Sequence, residues 1–155
     1  MKRTYILVIT ICLAVVPNVW SQSEDDRAIE LTRSAIQAER QAILATNLEL
    51  DEKESAVFWP LYEEYRKALE PAINTRVELL NKYFASYETL TDKEATALLN
   101  KHLAREQEVL KVRSAYAKKM NKSLSGKTVA RFFQIENKMD LIVEYELAGE
   151  IPLIK

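Results

Sequence analysis

The sequence predicts an all-α fold: an elongated antiparallel helical hairpin or four-helix arrangement with a long, kinked second helix, in which a homodimer would add stability. Three observations carry that expectation. The 155 residues include only two glycines, which argues against a sandwich or barrel built from hairpin turns. Apolar residues recur three and four apart over long stretches. Capping residues open several of those stretches. Length suits one domain, and 22 basic against 23 acidic residues lack the basic surplus of a nucleic-acid binder.

The first segment reads as an export signal. Lys2 and Arg3 are followed by the apolar run Tyr5 to Val16, broken by Pro17 and Asn18, and Val19-Trp20-Ser21 suits signal peptidase. Cleavage is expected after Ser21, with Ser23 as the alternative site. The run is shorter than the roughly 20 apolar residues a membrane span needs, which leaves an uncleaved anchor as the competing reading. A lipoprotein would use Cys12, but Ile11 before it is bulky where a small residue is required. Residues 1–21 are thus the expected signal peptide and 22–155 a single helical domain, periplasmic and without a stable membrane anchor after cleavage. Cleavage removes Cys12, the sole cysteine, so no disulfide can staple the mature domain.

The helices follow in order. Ser23 can cap helix 1, expected over about 24–46, where acids at 24–26 favour the positive end of its dipole. Ala28, Leu31, Ala35, Ala38, Ala42 and Ala45 form a stripe of small residues that admits a close neighbour. Asn47 to Leu50 interrupts the pattern. Asp51 with Glu54 opens helix 2, expected over 51–88 and about 57 Å long if continuous. Pro60 and Pro71 fall inside it; Pro60 predicts a kink and Pro71 a bend or break. Thr91 with Glu94 opens helix 3 over 92–123, and Ser125-Gly126 is the clear internal break. Helix 4 should span 127–148 with Phe132, Ile135, Met139, Ile142 and Val143 buried, Gly149 as its cap and Pro152 preventing continuation.

The starts Leu48-Glu49-Leu50-Asp51-Glu52-Lys53-Glu54 and Leu90-Thr91-Asp92-Lys93-Glu94 resemble the paired LTxxQ signatures of the Spy/CpxP family of periplasmic proteins. Asp51 stands where the family has Thr, and Glu54 and Glu94 where it has Gln; these changes keep the capping chemistry. Phe58-Trp59-Pro60-Leu61-Tyr62 and the stretch Ala130 to Lys138 resemble exported bacterial proteins often placed near that family. The resemblance implies a thin, curved, all-helical dimer whose concave face holds unfolded clients without ATP. It also implies kinship with envelope-stress sensors and with some metal-resistance sensors.

Catalytic equipment is sparse. His102 and Glu106 share a helical face and could give two metal ligands, but a site needs more, so His102 reads as a partly buried helix residue. Gly126-Lys127-Thr128 resembles the end of a P-loop, yet Asn121 occupies the first glycine position and no strand precedes it. One histidine supports no convincing Ser-His-acid set, and no carboxylate pair stands out. Neither an enzyme nor a cofactor is expected.

The aromatic residues are more informative. Phe58, Trp59, Tyr62 and Tyr65 cluster on helix 2; Trp59 and Tyr62 share a face from which Phe58 points about 100° away. Rings beside charges suit polypeptide contact, and Trp59, Tyr62, Tyr65 and Arg66 are the candidate binding residues. The competing reading packs these rings on Phe132 and Phe133. Arg131, Phe132, Gln134, Glu136 and Asn137 are read as a structural motif, with Arg131 and Glu136 as natural partners. The expected function is an exported, ATP-independent chaperone-like or envelope-stress adaptor protein that binds unfolded or partner polypeptides. The alternatives are a specific sensor partner or a metal-responsive sensor.

Overall fold

The computed structural model describes residues 35–155; the expected signal peptide and the part of helix 1 before residue 35 lie outside the described residues. The chain divides into two units, Met1–Glu39 and Arg40–Lys155, and the core and its ion pairs lie in the second. The described residues form four helices and no strand: α1 (35–47), α2 (Glu52–Ser86), α3 (Asp92–Met120) and α4 (Gly126–Glu150).

Each helix start after α1 is capped by the residue type its sequence offers. The Asp51 carboxylate accepts from the Glu54 N–H at 2.8 Å. Thr91 and Glu94 form a reciprocal capping box, with the Thr91 N–H donating to Glu94 Oε2 at 3.0 Å and the Glu94 N–H to Thr91 Oγ1 at 3.3 Å. Ser125 caps α4 by accepting from the Thr128 N–H at 3.1 Å. These contacts satisfy donors that the first turn of a helix leaves without intrahelical partners.

The ends of α2, α3 and α4 differ from expectation, with α2 stopping at Ser86 rather than 88. α3 stops at Met120, and the turn that follows folds buried Leu124 back onto the core. Gly149 is not a cap: α4 runs through it to Glu150, and no glycine among the described residues has positive φ. Pro152 ends the helix instead, because the residue before a proline is driven to extended backbone, as Ile151 is at φ −87° and ψ 109°. At the end of α1 the left-handed position falls to Glu49, φ 56°, just after Leu48 returns its N–H to the Leu44 carbonyl at 2.9 Å.

α2 is assigned as one helix through both prolines. Each proline removes the bond to the carbonyl four residues earlier, at Ala56 and Lys67. Those residues and the prolines themselves are exposed, so water can serve the released carbonyls.

The core is built on a regular step along α2. Phe58, Tyr62, Tyr65, Leu69 and Ala72 alternate spacings of four and three and are all buried. Leu44 of α1, Leu48 after it, Val112 and Met120 of α3, and Val129, Phe132 and Met139 of α4 close over them. Phe132 is the hub. Its ring meets Phe58 at 5.3 Å and Tyr65 at 5.5 Å between centroids, both edge-on, an arrangement that the ring quadrupoles favour.

Candidate functional site

The four residues expected to contact polypeptide belong mainly to this core. Tyr62 and Tyr65 have no exposed surface, a correction to their expected role: the four-three step that carries them is the step that faces α4. Trp59 is half-buried, edge-on to Phe58 at 5.1 Å and to Tyr62 at 5.8 Å. Phe58 takes the innermost place, so the divergence of these neighbouring residues is resolved in its favour. Arg66 turns inward, its Nη1 lying 3.8 Å from Glu136 Oε2.

The motif on α4 divides in the same way. Phe132 and Glu136 are buried, whereas Gln134 and Asn137 are exposed. Arg131 does not pair with Glu136, because five residues along a helix separate side chains by about 140°. It holds the Glu49 carboxylate instead, through Nη2 at 2.7 Å and Nη1 at 3.2 Å. Glu136 receives Arg40 Nη1 at 3.2 Å, and Asp140 pairs with both Arg40 and Arg113.

All four helices thus meet in one ionic clasp. Burial raises the Glu136 carboxyl above its ordinary value despite opposition from Arg40 and Arg66, and nearby Asp140 adds to the rise. For Arg40 the balance is reversed: burial disfavours its charge, but Glu136 and Asp140 outweigh that effect. Burial also pushes the Tyr65 phenol up to about 12; its hydroxyl lies beside the Arg113 guanidinium but outside good hydrogen-bonding geometry. With every charge turned toward another helix, the clasp reads as fold maintenance.

The open site lies further along the hairpin. Leu79, Leu80 and Tyr83 of α2 face Ala95, Leu98 and Leu99 of α3 across a groove of about 310 Å³. Helical spacing places each trio on one side of its helix. Ile151 and Ile154 add a third wall. Arg76, His102, Arg105, Glu106 and Glu144 bring charge and polarity to the lining. Two of these cations are already engaged: Arg76 with Glu144 at 2.6 Å, and Arg105 with Glu106 and with the Ala72 carbonyl.

Beside the groove the apolar surface continues. Leu99, Leu103 and Leu110 are spaced four and seven apart along α3 and are 56%, 49% and 65% exposed. Val77 and Phe84, seven apart on α2, are also exposed. Sequence reasoning placed helix 3 over these leucines without separating them from the core. The missed signal is the absence of aromatic residues along α3 until Tyr116.

His102 is exposed rather than partly buried, and it lines the groove with Glu106 as their four-residue spacing requires. Among the described residues no group of three or more His, Cys, Asp or Glu side chains is placed to hold a metal ion. None of the described helices is long and apolar enough to cross a membrane. No family model, no curated protein and no solved structure matches this chain.

Proposed function

We propose that this protein is an exported, ATP-independent polypeptide-binding protein that captures partly unfolded or partner chains on the apolar groove and leucine seam of the α2–α3 hairpin. The observation that carries the reading is the exposure of Leu99, Leu103 and Leu110 in register beside an open apolar groove. Contiguous exposed apolar surface rimmed by charge is typical of interaction sites. Apolar contact supplies affinity there, while the surrounding charges steer encounter. The leader-like residues 1–21 support export, and the Spy/CpxP-like starts at 48–54 and 90–94 support a chaperone or adaptor role.

The binding surface therefore moves from the rings of the early α2 turns to the later half of the hairpin. Light scattering of a chemically denatured client, diluted with and without the mature protein, tests the proposal. Suppression is expected near equimolar ratio, and its absence overturns the reading. Leu99→Asp with Leu103→Asp should abolish suppression while far-UV circular dichroism stays unchanged. Suppression that survives this pair but is lost with Trp59→Ala would return the site to the aromatic end.

A further inference from the structure

We infer that the segment Ile151–Lys155, which walls one side of the groove, is displaceable, and that the seat it covers takes extended polypeptide of the same pattern: two apolar residues three apart, followed by a basic residue. The inference rests on the reading of the groove as a polypeptide seat and names what that seat selects.

The segment is placed by chemistry that another chain could reproduce. α4 ends at Glu150, and Pro152 drives Ile151 into extended backbone, which turns the chain out of helical geometry. Ile151 and Ile154 then face the groove that Leu80, Tyr83 and Leu98 line from the two long helices. Between them, the Tyr83 hydroxyl donates to the Pro152 carbonyl at 2.6 Å. Beyond them, Lys155 Nζ lies 2.6 Å from Glu88 Oε1. The seat thus offers apolar walls for two side chains, a phenol donor for a main-chain carbonyl and a carboxylate for a cation. None of these features depends on the segment being covalently joined to α4. The side-chain walls and the carboxylate give pattern selectivity, and the carbonyl contact is available to any sequence.

The hold is also loose enough to exchange. Leu153 is 88% exposed and Ile154 about half so, the Lys155–Glu88 pair is solvent-facing on both sides, and the groove beside the segment remains open. An exposed ion pair and a single hydrogen bond are the weakest kinds of anchor. A tethered occupant nevertheless lowers the apparent affinity of any competitor by the fraction of time the seat is taken.

The test uses the full chain and an N-terminally fluorescein-labelled peptide, Ile-Pro-Leu-Ile-Lys, read by fluorescence anisotropy. Ile151→Ser with Ile154→Ser frees the seat without touching Leu80, Tyr83 or Leu98. This variant should bind the peptide roughly tenfold more tightly than the parent, as expected for a seat occupied about nine-tenths of the time. Adding Leu98→Asp should remove binding, and a peptide with both isoleucines changed to serine should not bind. A second route, Glu88→Ala with Lys155→Ala, loosens the segment from its far end and should give a smaller gain for the same peptide lacking its lysine. Equal binding by parent and freed variant, or binding indifferent to Leu98→Asp, overturns the inference.

The two readings fail separately. Client protection without any effect of freeing the seat sinks the occupant and leaves polypeptide capture standing. Peptide exchange without client protection leaves a selective peptide seat and sinks broad capture.

Discussion

The two ends of α2 follow the same helical spacing and meet opposite fates. From Phe58 to Ala72 every inward step is buried, and the rings are sealed by residues from all three other helices. From Ile73 to Lys111, across the far half of α2 and most of α3, no residue is buried at all. The difference is one of cover rather than of amphipathic pattern. Near Phe132 the hairpin has α1 and α4 laid over it. Past Ala72, the α2 and α3 side chains that line the groove have one another, Glu144 of α4 and the Ile151–Lys155 segment. Two helices bury one seam between them but cannot enclose it, so leucines remain half in water. Stability should therefore concentrate at the aromatic end and recognition at the other.

The comparison is most easily broken at Phe132. Its side chain has no exposed surface and touches four other rings, so Phe132→Ala removes both area and edge-on contacts. A loss of about 3–5 kcal/mol is expected for truncating such a residue. Urea denaturation followed by circular dichroism would measure it. A loss below about 1 kcal/mol would mean that the aromatic end does not carry the fold.

Glu136 sharpens the same contrast electrostatically. Glu136→Ala takes one carboxylate from Arg40, which keeps Asp140, and one from Arg66, and should cost on the order of 3 kcal/mol. Glu136→Gln keeps an oxygen for Arg40 without the buried charge and should escape that loss. The sign of the pH effect follows from the raised carboxyl. The folded chain binds this proton more tightly than the unfolded chain, so the group favours folding most at acid pH. That contribution fades as pH rises from the ordinary value of 4.5 through the folded value. Parent and Glu136→Gln should thus be nearly equal in acid, and the parent should lose ground to the variant as pH rises through that window. Denaturation midpoints taken across the acid range would show the opposite trend if the arginines, rather than burial, control the carboxyl.

Much of the architecture was legible because its signals are local. Asp51 with Glu54, Thr91 with Glu94, and Ser125 mark helix starts through side chains that reach only three residues. The end of α4 was half legible: Pro152 acts through its immediate neighbour, but Gly149 suggested a left-handed cap that the chain does not use. Candidate contact residues were harder to read, because ring chemistry suits a core and an interface equally. Tyr62 and Tyr65 have hydroxyls that suggest a wet surface, yet their spacing from Phe58 and Leu69 puts them inside. The partners of Glu136 were beyond reach for another reason. Arg40 lies 96 residues away, and no spacing rule links a carboxylate on one helix to guanidiniums on two others. The groove has the same character, since two helix faces and an extended segment make it only once the hairpin closes.

The smallest effect on stability should come from the seam itself. Leu99, Leu103 and Leu110 are each about half exposed or more, so folding withdraws little of their surface from water. Glutamine is nearly as good a helix former as leucine, which makes the substitution a test of burial rather than of propensity. Leu99→Gln, Leu103→Gln and Leu110→Gln should each shift stability by no more than about 0.5 kcal/mol, the range of ordinary surface changes. Because the three positions lie along one face, their combination is the stringent case. Near-additive small shifts in the urea midpoint, independent of protein concentration, fit a seam left open for visitors. A large cooperative loss that grows on dilution would mean that the seam is already covered by a second copy of the chain, and the open end would then be an assembly face rather than a free one.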